Sequence, residues 1–313
     1  MNINSVPVID IHELGSAGTL AKLDEACREW GFFQVIHHGI PDASIRQVFS
    51  AAHTFFALPD GVKRRIERTR DNPWGYYDQE LTKNVVDWKQ IYDFGPADGG
   101  DIRPQWPARL PGFRSAVQTY YRHCEELAFR LLAAISTNLG MRPGYLSQGF
   151  GKDHTSFLRM NYYPVCPATP GSGRGNNPLG VGPHTDAGAL TLLLQDSQPG
   201  LQVYKDGDWH TVEPRRDAIV INIGDMVQVW SNDEYHAALH RAITYSDKAR
   251  FSIPFFLNPS YRATYRPLPT RVSDNRPPRY REINWGEFRE RRMSGDYADY
   301  GEEIQIAQYR TTL

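Results

Sequence analysis

Cysteine is scarce: Cys27, Cys124 and Cys166 are the only three in 313 residues, and they lie far apart. That excludes a disulfide framework and the paired spacing of a zinc finger, and it fits a reducing compartment. Charge of one sign is missing too, since 35 basic side chains face 36 acidic ones and the formal net charge is −1. Such balance gives no electrostatic reason to expect nucleic acid or an anionic membrane as partner. No apolar run approaches the roughly 18 residues of a membrane span, and the amino terminus lacks the basic-then-apolar pattern of a targeting signal. A cytoplasmic protein is expected. Internal repeats and low-complexity linkers are also absent. What is present is 40% apolar residues, enough for a sizeable core in one large domain or two, and an ordinary 23% of charged ones.

Residues 6–11 suggest a short edge strand, where Pro7 is tolerated. A helix is expected over 19–30, capped by Thr19 and stopped by Gly31, then a buried strand at 31–36. Val48, Phe49, Ala52 and Phe56 are spaced for one helical face. The basic run Lys63-Arg64-Arg65 reads as a solvated face. Residues 71–109 are rich in Pro, Gly and Trp without sustained period, hence a functional loop; Trp74, Tyr76, Tyr77, Trp88, Tyr92 and Phe94 argue against disorder. A long amphipathic helix spans 112–139, ends at Gly140 and is suited to backing a sheet. Strand candidates follow at 157–163, 181–186, 190–195, 201–204, 209–212, 218–223, 227–230, 235–245 and 250–256, punctuated by turn chemistry. The irregular tail ends in a helix at 285–293. The fold expected is mainly β with flanking helices: a double-stranded β-helix (jelly roll) core backed by the long helix.

The stretch Gly182-Pro183-His184-Thr185-Asp186-Ala187-Gly188 stands out. In extended chain, residues two apart share a face, so His184 and Asp186 point the same way. A His-x-Asp pair alone often means no more than a hydrogen-bonded turn. Here glycines flank it and the apolar run Leu190-Thr191-Leu192-Leu193-Leu194 follows, placing the pair at the mouth of a buried strand. A carboxylate there needs a nearby cation to offset its desolvation. One more imidazole would complete a two-His, one-carboxylate set that leaves up to three positions of an octahedral ion open, as in non-haem Fe(II) oxygenases. His210, His236 and His240 are candidates. His236 and His240 are four apart, so parity does not separate them, but His240 lies deeper in an apolar strand while His236 borders a polar turn. Arg250 and Ser252 form a second pair on one strand face. A guanidinium opening a buried strand must find an anion, whether in an internal salt bridge or in a substrate carboxylate clamped with help from the hydroxyl. Asn161-Tyr162-Tyr163-Pro164, on a neighbouring strand, could add an amide and a phenol.

His184-Thr-Asp186, then His240, then Arg250-x-Ser252, in this order and spacing, resemble the iron(II)/2-oxoglutarate-dependent dioxygenases, in the isopenicillin N synthase-like branch. Arg28-Glu29-Trp30-Gly31-Phe32-Phe33-Gln34-Val35, Asn161-Tyr162-Tyr163-Pro164-Val165-Cys166-Pro167, Gln195-Asp196 through Gly200-Leu201-Gln202-Val203, Asn222-Ile223-Gly224-Asp225 and Trp230-Ser231-Asn232 extend the likeness over nearly the whole chain. Gly75-Tyr76-Tyr77, Leu81-Thr82-Lys83-Asn84, Asp87-Trp88-Lys89 and Asn284-Trp285-Gly286 look most like plant-type members. The resemblance implies Fe(II) on His184, Asp186 and His240. It implies 2-oxoglutarate (2OG) held at its distal carboxylate by Arg250 and Ser252 with Tyr163, and Asn161 near its keto-acid end. O₂ is the second cosubstrate; succinate and CO₂ leave as a C–H bond of a small molecule is oxidised, most simply to an alcohol.

Ile91, Arg159, Phe256 and Asn258 would line the substrate pocket, under a lid made by residues 71–94 and the C-terminal helix, and Arg159 could pair with a carboxylate or phenolate of the substrate. The implied organisation is one catalytic unit over 1–313: a helix-rich part at 1–150, a jelly-roll core with the metal and cosubstrate site at 155–260, and a lid or helix at 261–313. Its partner would be the small-molecule substrate, with no nucleic acid or membrane, and the chain a monomer or weak oligomer. Competing readings are an iron oxidase or cyclase of the same fold that does not use 2OG, a Zn-dependent hydrolase, and a non-catalytic jelly-roll binding protein. No general base for a hydrolase is evident beside the motif.

Overall fold

A computed structural model describes residues 5–95, 102–167, 179–245, 247–294 and 304–311. Part of the expected loop, at 96–101, and parts of the expected lid, at 295–303 and 312–313, lie outside the described residues.

The chain opens with β1 (Val8–Asp10), then α1 (Ala17–Glu29) and β2 (Phe32–Ile36). The cap of α1 is Ser16, not Thr19: the Ser16 hydroxyl accepts the Thr19 amide at 3.3 Å, so the helix starts earlier than expected. Gly31 ends it at φ +63°, and a Cβ there would lie 2.0 Å from the His236 carbonyl oxygen, so only glycine fits. Next come α2 (Asp42–Phe56) and the single turn α3 (Asp60–Lys63). Lys63 is buried, contrary to the solvated face expected of the basic run, because its ammonium bonds Gln90 Oε1 at 2.7 Å and Asp60 at 2.9 Å.

The segment expected as loop contains four strands: β3 (Gly75–Tyr77), β4 (Leu81–Thr82), β5 (Val85–Val86) and β6 (Gln90–Phe94). Three of them are only two or three residues long and show no measurable period, and the fourth, β6, has five. The helix α4 (Phe113–Asn138) follows, then β7 (Phe157–Tyr163), β8 (Val181–His184), β9 (Leu190–Gln195), β10 (Leu201–Lys205), β11 (Asp208–Thr211) and β12 (Ala218–Ile223). The expected strand at 227–230 is instead part of the helix α5 (Asp225–Trp230). Its β-branched and aromatic residues favour a strand, but the first amides of the turn are held by the Asp186 and Gly188 carbonyls, at 2.7 and 3.2 Å. The expected strand at 235–245 shortens to β13 (His240–Ala242). The rest is β14 (Arg250–Leu257), β15 (Thr264–Tyr265), β16 (Ile283–Asn284) and α6 (Trp285–Ser294).

Two sheets face one another as a jelly roll. The larger has the order β1-β2-β12-β9-β14-β7-β6-β3 and the smaller β11-β10-β13-β8. Strand parity divides the large sheet's side chains. Leu192, Leu194, Ile219, Ile221, Ile253 and Phe255 share one core with α4 residues such as Leu131 and Ile135. Leu193 and Val220 turn the other way and meet Leu201, Val203 and Val212 of the small-sheet side. The same parity turns Arg159, Asn161, Tyr163, Thr191, Asn222, Arg250 and Ser252 into the space between the sheets. Among the described residues, no helix is long and apolar enough to cross a membrane.

Leu192 is fully buried at the centre of the large sheet, against the helices. Leu192→Ala is expected to cost about 2–5 kcal/mol, seen as a lower urea midpoint with the slope unchanged.

Candidate active site

His184 ends β8 and His240 begins β13, and these antiparallel strands pair the two histidines directly. Their ring centroids are 4.2 Å apart. Asp186 Oδ1 lies 3.6 Å from His184 Nε2 and 3.7 Å from His240 Nε2. Those spacings match donors that share one ion at about 2.0–2.2 Å from each, and the three ligand atoms all fall within 4.8 Å of one another. The other two histidine candidates are elsewhere: His236 is exposed, and His210 packs edge-on against Trp30.

The protonation of the trio suits a metal. His184 Nδ1 is 2.8 Å from the Gly182 carbonyl and His240 Nδ1 is 3.1 Å from the Ala238 carbonyl. A carbonyl only accepts, so each Nδ1 carries the proton and each Nε2 presents a lone pair. Burial, reinforced by His184, pulls the His240 pKa down to about 4, so the ring is neutral at physiological pH. Burial works against the Asp186 charge, but the flanking imidazoles and the Thr191 hydroxyl outweigh it and hold its carboxyl below the usual range.

Arg250 and Ser252 lie across from Tyr163 and Asn161 in the β14–β7 register. Arg250 is only 2% exposed. One guanidinium nitrogen donates to Gln195 Oε1 at 2.8 Å and the group faces the Tyr163 ring at 5.0 Å, but its Nε has no hydrogen-bond partner. Among the described residues no carboxylate comes within 4.0 Å of it; Asp196, nearby, accepts the amides of Phe251 and Gln198 instead. Asn161 donates to Ser252 Oγ at 3.2 Å and leaves its own Oδ1 without a partner, while the Tyr163 hydroxyl is 3.4 Å from Ser252 Oγ. A buried cation flanked by a hydroxyl, a phenol and an amide is suited to receive a carboxylate. Gly200 makes room for the Arg250 side chain, since a Cβ there would lie 2.6 Å from Arg250 Cδ.

Both groups open into one cavity of about 180 Å³, also lined by Phe157, Phe256, Asn258 and Trp285. Phe256 stacks on Phe157 with centroids 4.6 Å apart. Of the segments expected as a lid, Glu80, Leu81, Thr82 and Lys89 from the β3–β6 region and Trp285, Arg289 and Arg292 from α6 line the cavity. Ile91 does not line it; it faces the same side as Asn161 in the register but sits one strand further out, fully buried.

Arg159 lines the cavity, yet its guanidinium already holds Asp93 at 2.7 Å and Glu80 at 2.7 Å. Arg68 bonds the same two acids, and Lys89 bonds Glu80 and Asp87 at 2.6 and 2.9 Å. Three cations and three carboxylates thus form a network in the wall, and Arg159 is engaged in it by two acids. Burial raises the cost of the Glu80 charge, but Arg159, Lys89 and Arg68 overcome it and hold its pKa well below normal. Sequence reasoning passed over Thr191 and Asn222 as well, both of which bond Asp186; their signal was a lone polar residue inside an apolar strand.

The model of the non-haem dioxygenase N-terminal region, described as that of morphine synthesis, matches residues 6–111, and the model of the 2OG-Fe(II) oxygenase superfamily matches residues 154–259. The class is therefore that of the non-haem iron dioxygenases. Flavanone 3-dioxygenase 2 of Oryza sativa subsp. japonica is 35% identical over 290 residues, covering 90% of this chain and 82% of that one. The crystal structure of JOX2 in complex with 2OG, Fe and JA aligns at a TM-score of 0.82 and 34% identity, over 91% of this chain and 84% of that one. That of the dioxygenase for auxin oxidation in rice aligns at 0.78 and 28% identity, over 98% of this chain and 100% of that one. The chain belongs to the 2OG-Fe(II) oxygenase superfamily. It is a dioxygenase that uses Fe(II), 2OG and O₂ to oxidise a C–H bond of a small organic molecule with release of succinate and CO₂. The hydrolase and binding-module readings give way to this membership.

Glu80→Gln leaves three buried cations against two carboxylates and is expected to destabilise the fold by about 3–5 kcal/mol at neutral pH. Because the folded pKa of Glu80 is depressed, its stabilisation is present above the unfolded carboxylate value of about 4.3 and is lost as pH falls. Urea unfolding at about pH 7 and about pH 3.5 should therefore show the gap between wild type and variant narrowing in acid.

Proposed function

We propose that His184 Nε2, Asp186 Oδ1 and His240 Nε2 ligate the Fe(II), and that Arg250 and Ser252, with Tyr163, hold the distal carboxylate of 2OG while Asn161 lies near its keto-acid end. One observation carries the second half of this reading: the Arg250 guanidinium is buried without a carboxylate partner among the described residues, in the same cavity as the His–Asp–His trio. A cation so placed is costly until an anion reaches it. When bound, iron and 2OG supply the oxidative decarboxylation that drives C–H oxidation. The chain's own residues bind and orient. Neutral imidazoles donate their Nε2 lone pairs, Arg250 and Ser252 set where 2OG lies, and Phe157, Phe256 and Trp285 keep water from the apolar wall.

The reaction is a hydroxylation, and the substrate is a small, partly apolar or aromatic molecule. The aromatic wall supports this, and so do the relatives, which are a JOX2 complex with JA, a dioxygenase for auxin oxidation and a flavanone 3-dioxygenase. Phe256 and Asn258 contact the substrate in this reading, while Arg159 shapes the wall and Ile91 supports it from behind. Residues 1–313 work as one catalytic unit, with 1–150 bracing the core at 155–260 and 261–313 acting as lid. The plant relatives favour a place in specialised metabolism; charge balance and cysteine usage favour a cytoplasmic monomer or weak oligomer.

Anaerobic reconstitution with Fe(II) and 2OG, then admission of O₂ with candidate substrates, should give one succinate per substrate oxidised. Asp186→Ala should form no succinate. Arg250→Gln should raise the KM for 2OG by roughly 10- to 100-fold, the loss of a charged hydrogen-bonded contact of about 1.5–3 kcal/mol. An Arg250→Gln enzyme with an unchanged KM for 2OG would falsify the cosubstrate assignment.

A further inference from the structure

We propose that Thr191 and Asn222 are positioning residues that keep the Asp186 carboxylate a one-oxygen donor; the inference rests on the metal ligands proposed above. Thr191 and Asn222 stand opposite one another in the β9–β12 register, and both are almost fully buried. The Thr191 hydroxyl donates to Asp186 Oδ2 at 2.5 Å, and the Asn222 amide donates to the same oxygen at 2.8 Å. Two donors match the two lone pairs of that oxygen. Oδ1, the other oxygen, is the one that faces His184 Nε2 and His240 Nε2, at 3.6 and 3.7 Å.

The consequence is a coordination count. A carboxylate that chelates takes two positions of an octahedral ion, whereas one that binds through a single oxygen takes one. With two imidazoles, single-oxygen binding leaves three positions: two for a keto acid and one for O₂. Chelation would leave two and close the place that O₂ needs. Neither residue has a packing reason for its polarity. Thr191 stands in Leu190-Thr191-Leu192-Leu193-Leu194, and Asn222 in Ala218-Ile219-Val220-Ile221-Asn222-Ile223. Burying a hydroxyl and an amide there is unfavourable unless each is hydrogen-bonded, and Asp186 Oδ2 takes both. The backbone holds the same loop from behind, through the Asp225 amide on the Asp186 carbonyl at 2.7 Å and Arg292 on the Thr185 carbonyl at 2.9 Å. What remains for Thr191 and Asn222 is rotation of the carboxylate about its own bond.

Co(II) titrated into the metal-free full-length protein is the test, read by its visible absorption band and by the melting temperature with and without metal. Thr191→Val keeps the shape and removes the donor; it should weaken Co(II) binding roughly 10- to 100-fold and alter the band as coordination number changes. Thr191→Ser keeps the hydroxyl and should restore both. Wild-type affinity and an unaltered band in Thr191→Val would overturn the proposal, and so would equal losses in the Val and Ser variants, since the donor would then not be what matters. If Thr191→Val does not fold, Asn222→Ala decides by the same two readouts. A wild-type protein that takes up no Co(II) overturns the ligand assignment beneath, a result distinct from variants that bind like the wild type.

Discussion

A buried carboxylate and a buried guanidinium, neither in a direct ion pair with a Lys, Arg, Asp or Glu side chain among the described residues, set the terms for the rest of this molecule. Asp186 is 9% exposed, and its carboxylate is favoured only by the two imidazoles beside it and by hydrogen bonds, with no Lys or Arg in contact among the described residues. Arg250 is 2% exposed and bonds a neutral glutamine. Both line the same cavity, and no ion pair within 4.0 Å joins them among the described residues. Leaving either alone is expensive. In the proposed assignment, a divalent cation at the first and a carboxylate of 2OG at the second would answer both deficits.

The wall on the other side shows what a completed set looks like. Arg68, Lys89 and Arg159 meet Glu80, Asp87 and Asp93 one for one, all of them at least mostly buried. These pairs balance charge within the wall and join the β3–β6 region to β7. Incompleteness, rather than burial or charge as such, separates the groups that bind from those that brace. Phe157, Phe256 and Trp285 give the cavity an apolar wall, with the Arg289 guanidinium 5.3 Å from the Phe157 ring centroid.

Parity explains what could be read in advance. The jelly roll follows from a series of short strands punctuated by turn residues, and alternation places His184 with Asp186 and Arg250 with Ser252 on common faces. The choice of His240 over His236 could not come from parity; it needed the pairing of β13 with β8, which brings His240 opposite His184. Three features were hidden for physical reasons. The turn at 225–230 is written in strand-forming residues, and its helix is stabilised by carbonyls of the 186–188 loop, a contact between segments distant in the chain. Three of the strands within 75–94 have only two or three residues, too few to carry a period. The engagement of Arg159 depends on acids at 80 and 93, which only the folded register brings alongside.

The bracing network and the metal-binding strand are also mechanically joined. Asp87, which answers Lys89, spans the gap with its other oxygen and accepts the Gly182 amide at 3.2 Å, and the Trp88 amide reaches the Leu179 carbonyl at 2.9 Å. Gly182 in turn supplies the carbonyl that fixes the tautomer of His184. The pairing of Lys89 with Asp87 is thus linked, through one short stretch of backbone, to the lone pair that His184 offers to a metal. Sequence changes that retune the substrate wall through this network will therefore act on the orientation of the His184 ring as well, which limits how independently the wall and the metal centre can vary.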